Sequence, residues 1–127
     1  MKVYEQLAQS LQARINCEKH GNTEWHVRHT ETIESTCKEY LPSGSGFDCG
    51  TRFDFDKSTP NRLVLNTDFH HMDEHGGYDG WTEHQVIVTP SLVFRFDVRV
   101  TGVNKRDVKE YIASEFECAL NSDMREV

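Results

Sequence analysis

The chain has 127 residues, 36% of them apolar and 28% charged, with a formal net charge of -7. A chain of this length buries roughly two-thirds of the surface its unfolded form exposes, so it fits one domain with a core that needs no staples. No stretch approaches the ~20 apolar residues that span a bilayer, the start Met1-Lys2-Val3-Tyr4-Glu5-Gln6 lacks the apolar run of a signal peptide, and the acid excess opposes a phosphate backbone. A soluble, cytoplasmic protein with no membrane partner and no direct nucleic-acid ligand is expected.

Val3, Leu7, Leu11 and Ile15 recur at four-residue steps and predict a helix over residues 2–19, ended by His20-Gly21. A second helix is predicted from about Thr23, as N-cap, to Tyr40, closed by Leu41-Pro42. Trp25, His29, Ile33 and Cys37 would form its core face. Glu24, Arg28, Glu31, Glu34 and Lys38 would be solvated. Leu41-Pro42-Ser43-Gly44-Ser45-Gly46-Phe47-Asp48 then reads as a helix-to-strand connection; small residues can cradle an anion, but the Gly-Lys-Ser/Thr ending of a phosphate loop is missing.

From Phe47 the period changes to two. Thr51, Phe53 and Phe55 alternate with Arg52, Asp54 and Asp56, and Leu63, Leu65 and Phe69 alternate with Arg62, Asn66, Asp68 and His70. A third strand is predicted from Gln85 to Thr89, before Pro90, which cannot donate to a ladder. A fourth starts at Leu92, with Phe94, Phe96, Val98 and Val100 on one face. A last helix is predicted from Asn104 as N-cap, with Val108, Ile112, Phe116 and Leu120 as its apolar stripe. This order implies an α+β two-layer sandwich: a four-stranded antiparallel meander with two N-terminal helices and one C-terminal helix. Cys17, Cys37, Cys49 and Cys118 show no C-x-x-C pair and read as reduced thiols, with Cys37 and Cys118 at buried helical positions.

The charge is uneven. Residues 42–84 hold three basic and eight acidic side chains, so the middle third carries -5 of the total. A basic protein, such as a nucleic-acid enzyme with its cationic groove open, suits such a field. Residues 69–84, Phe69-His70-His71-Met72-Asp73-Glu74-His75-Gly76-Gly77-Tyr78-Asp79-Gly80-Trp81-Thr82-Glu83-His84, hold four of the seven histidines and four acids. Residues 72–82 read as a long hairpin loop, and long loops are uncommon without a function.

Two chemistries compete for this tract. His70 and His84 facing each other across the hairpin mouth, with His71, His75 and a carboxylate from Asp73 or Glu74, would suit zinc or another divalent ion. Hydrogen-bonded or solvent-facing histidines are the plain alternative, since Met72 stands where H-E-x-x-H needs its glutamate. Tyr78 and Trp81, set among Gly76, Gly77 and Gly80, would project as partner anchors, unless Trp81 folds back to close the end of the sheet or the helix layer.

The strings LPSGSGFD at 41–48, FHHMDEHGGYDGWTEH at 69–84, TPSL at 89–92 and NKRDVKEYI at 104–112 resemble small uncharacterised proteins of tailed bacteriophages and prophages, over most of the chain from Trp25 onward. The resemblance implies an accessory protein that binds a host enzyme or defence complex in the host cytoplasm, and it transfers no catalytic residue. The leading expectation is therefore a non-enzymatic binder of a host protein, with anti-CRISPR-like counter-defence as one form. Asp73, Glu74, Asp79 and Glu83 would steer it and Tyr78 with Trp81 would anchor it. The alternative is a metal-dependent or histidine-based hydrolase of a small phosphorylated substrate, using His70, His71, His75 and His84. A third reading is sequestration of a nucleotide signal by Arg28, Arg52, Arg95 or Arg99. A homo-oligomer is compatible with all three.

Overall fold

The computed structural model describes residues 1–44, 47–91, 95–101 and 108–124, the side chains of Asp48, Cys49, Asp79 and residues 95–101 apart. The chain is α+β, with two N-terminal helices, a three-stranded antiparallel sheet and one C-terminal helix. Helix α1 spans Val3–Lys19 and α2 spans Thr23–Tyr40. The strands are β1 (Phe47–Phe53), β2 (Leu63–Met72) and β3 (Tyr78–Val88). A further strand, β4 (Arg95–Thr101), runs antiparallel beside β3 in backbone register, and α3 spans Lys109–Asn121. No described helix is long and apolar enough to cross a membrane.

The helices bury the stripes that their spacing dictates. Val3, Leu7 and Leu11 of α1, Ile33 and Cys37 of α2, and Ile112, Phe116 and Leu120 of α3 meet Phe53, Leu63, Leu65, Val86 and Val88 of the sheet in one core. The two ends of the chain meet as well, since Val3 N donates to Ser122 O at 3.1 Å and Met124 N to Met1 O at 2.8 Å. Burial pushes the Cys37 thiol up to about 12, with Glu34 adding to the effect, so this sulfur is an inert core atom.

Several sequence expectations need correction. Asn22, not Thr23, caps α2, its side chain accepting from Trp25 N at 3.3 Å. Trp25 is 48% exposed and His29 only half-buried, because the first half of α2 carries none of the helix's buried residues, which are Ile33, Thr36 and Cys37. Cys118 is exposed, two residues off the buried line of α3. Strand β1 stops at Phe53, since Asp54 starts a turn in which its carboxylate accepts from Lys57 N at 3.0 Å and its carbonyl from Ser58 N at 3.1 Å. Phe55 therefore leaves the strand and packs at the core margin under Arg14. Helix α3 begins after Val108, whose φ of -112° and ψ of 14° are not helical, so the start lies beyond the expected cap. That expected cap, Asn104, lies outside the described residues, as do Leu92 and Phe94 and the side chains of Cys49, Phe96, Val98 and Val100.

Candidate functional site

The expected eleven-residue loop is not a loop. Strands β2 and β3 run on through it, leaving a tight turn closed by Asp73 and Gly77: Asp73 N donates to Gly77 O at 2.8 Å and Gly76 N to Asp73 O at 3.1 Å. Glu74, His75 and Gly76 form its tip, with Gly76 in the left-handed region at φ 79°. This is the three-residue hairpin loop in which a type I turn is followed by a left-handed residue, and aspartate is favoured at its first position. The Asp73 carboxylate is built into it. Oδ1 accepts from His75 N at 2.8 Å and from Gly77 N at 2.7 Å. Asp73 is thus a turn residue, its carboxylate committed to backbone N–H groups.

The register separates the four histidines. His70 pairs with Trp81 and His84 with Thr67, so His70 and His84 do not face each other. His71 and His84 lie on the inner face of the sheet, 2% and 3% exposed, while His70 lies on the outer face and His75 in the turn. The hairpin-mouth arrangement expected for an ion is therefore not formed. Among the described residues no three His, Cys, Asp or Glu side chains gather as a metal-ion set.

The inner pair forms a buried chain instead. His71 Nε2 lies 2.9 Å and His84 Nε2 2.5 Å from Thr82 Oγ1. One hydroxyl proton can serve only one ring, so the other ring donates its own Nε2–H to the oxygen. Phe69 packs edge-on against His71, and Tyr111 of α3 packs against Phe69 and Phe47, closing this end of the inner face. Burial, and after it positive charge from His71, outweighs the opposing effect of Asp68 and, with a lesser push from Lys109, pulls His84 down to about 4.

The outer face is covered at Val64 and Ile87 and opens toward the hairpin end. A bulge opposes Asp79 and Gly80 of β3 to His71 alone on β2, between the pairs His70–Trp81 and Met72–Tyr78. Tyr78 and Trp81 are three residues apart, so regular alternation would place them on opposite faces; the extra residue returns both to the outer one. Gly80 makes the bulge possible at φ 111°. The result is one patch of His70, Met72, Tyr78 and Trp81. Tyr78 is 57%, Met72 47% and Trp81 38% exposed, and the His70 ring lies 5.3 Å from that of Tyr78.

Carboxylates border the patch. Asp68 and Glu83 are paired in register beside His70 and Trp81, and Glu74 is exposed at the turn. Arg52 reaches Asp68 at 3.3 Å from β1, and Arg99 of β4 stands opposite Glu83 in backbone register. The side chains of Asp79, Arg95 and Arg99 lie outside the described residues. Arg28 is engaged by Glu24 at 3.0 Å on α2. At the opposite end of the sheet, a half-open apolar groove of about 230 Å³ is lined by Tyr4, Ala8, Pro60, Leu63 and Val88, and none of the four histidines borders it.

The sequence reading named Tyr78, Trp81, Glu74 and Glu83 as partner-binding residues; the structure sets Tyr78 and Trp81 on one exposed face with Met72 and His70, which that reading did not place there. The Asp73…Gly76 turn signal would have supplied them, because it extends both strands to the turn. Comparison of the chain with protein-family models, curated proteins and solved structures finds no match in any of the three.

Proposed function

We propose that this chain is a non-enzymatic binding protein that docks on another protein through the outer face of the β2–β3 hairpin end, carried on a two-layer sandwich with a four-stranded meander. The observation that carries the reading is the bulge at Asp79–Gly80, which gathers His70, Met72, Tyr78 and Trp81 on one exposed face. Exposed aromatics and methionine at the centre of a patch, with charge at its rim, are what protein interfaces are made of. Bulges beside functional surfaces re-aim side chains in this way. The rim is acidic, and residues 63–94 contain five acids and no lysine or arginine, so a basic surface is the complement. The resemblance to phage accessory proteins makes a bacterial host protein the partner, with counter-defence as the biological role.

Affinity capture from a bacterial host tests this. The double variant Tyr78→Ala/Trp81→Ala is expected to lose the partner that the unaltered chain retains, whereas Trp25→Ala, equally aromatic but on α2, is expected to keep it. Retention of the same partner at unchanged affinity by the double variant would overturn the reading.

A further inference from the structure

Resting on that docking reading, we infer that the side chain received by the patch is an arginine of the partner, its guanidinium laid on the rings of Tyr78 and Trp81. The patch offers two exposed aromatic side chains on one side of the hairpin end, and an aromatic face attracts a cation by its quadrupole. Among the described residues no arginine or lysine lies over either ring. The same molecule shows what its aromatics accept elsewhere. Arg14 lies 4.4 Å from the centre of the Phe55 ring, and Arg28 lies 5.0 Å from that of Trp25 while Glu24 holds it at 3.0 Å.

The hairpin end repeats part of that second arrangement, with no described arginine over its rings: an exposed indole with the Glu83 carboxylate on the same face, Asp68 beside it engaged by Arg52 at 3.3 Å, and Glu74 at the turn. A guanidinium is planar, stacks on rings and forks onto carboxylates, whereas an ammonium is a compact, strongly hydrated point charge. The geometry therefore selects arginine over lysine, beyond a simple demand for positive charge.

The test uses the full chain with Trp25→Phe, which leaves Trp81 as the sole tryptophan, and three acetylated hexapeptides of arginine, lysine and citrulline. The arginine peptide is expected to perturb Trp81 fluorescence and to bind at least about tenfold more tightly than the lysine peptide, with citrulline weaker than both. Tyr78→Leu, its fold verified by amide NMR shifts, is expected to remove most of the arginine preference. Equal binding of the arginine and lysine peptides, or no response of Trp81 to either, overturns the inference. If Tyr78→Ala/Trp81→Ala abolishes capture of the host partner while the peptides show no arginine preference, docking stands and the arginine assignment falls. If that double variant still captures the partner, docking itself falls.

Discussion

At the scale of single residues, the two aspects of the hairpin end rest on two small polar devices. A Cβ added at Gly77 would stand 2.7 Å from Asp73 Oδ2 and 3.2 Å from Asp73 Cγ, so Gly77→Ala must push away the carboxylate that accepts from two backbone N–H groups. Losing those charge-assisted bonds at an exposed turn is expected to cost about 1 kcal/mol, and Asp73→Ala about the same, while Asp73→Asn, which keeps the acceptor oxygen, costs less. Urea unfolding of the three variants measures this, and an Asp73→Asn loss equal to that of Asp73→Ala would show that the oxygen is not what matters. Inside, Thr82→Val is close to isosteric but removes the hydroxyl that both buried imidazoles share. It is expected to destabilise by about 1–3 kcal/mol, with Thr82→Ser restoring most of that. These roles were half-legible. Asp73 and Gly76 carry a turn signature, but four neighbouring histidines suggest metal chemistry, and nothing local says that His71 and His84 share an inner face with Thr82 while His70 does not.

At the scale of elements, the bulge decides what the strand presents. Gly80 sits at φ 111°, where a side chain is strained, so Gly80→Ala is expected to lower stability by about 1 kcal/mol or more and, by distorting the two-against-one pairing, to misplace Tyr78 relative to Trp81. Interface loss greater than that of Gly21→Ala, a control at another positive-φ glycine of φ 68° remote from the hairpin, is the expected reading. A bulge is hard to see in a sequence because it breaks the period that reveals strands: Tyr78, Gly80 and Thr82 fit one face and Trp81 and Glu83 the other. The helices show a different limit. The four-residue spacing of Trp25, His29, Ile33 and Cys37 is real, but periodicity gives a face without saying how far along the helix the core reaches. Ile33→Ala is accordingly expected to cost about 2–5 kcal/mol and Trp25→Ala much less, although tryptophan is the larger side chain. Thermal or urea melts rank the two directly.

At the scale of the whole molecule, the α+β class and the order of elements were legible, because amphipathic helices and alternating strands must bury one side each and the links between strands are short. The inner face, however, divides along its length: Leu63, Leu65, Val86 and Val88 pack against helices, while Thr67, Thr82, His71 and His84 continue the same face as a polar end closed by α3. That division gives the fold an acid limit. His84 is held at about 4 against an ordinary value of 6.5, so the unfolded chain binds its proton more readily than the folded one does. The stability contributed by keeping this ring neutral is complete above pH 6.5, declines as pH falls toward about 4, and falls no further below that. Over that window the slope is on the order of 1 kcal/mol per pH unit, the value set by one proton taken up on unfolding. Carboxylates titrate mainly below it, which makes the upper part of the window diagnostic. The midpoint of urea unfolding is expected to drop between pH 6.5 and 5 for the unaltered chain, and His84→Gln, whose amide can still meet Thr82, is expected to flatten that drop while lowering the plateau at neutral pH. A His84→Gln profile parallel to that of the unaltered chain over the same interval would place the acid sensitivity on other groups.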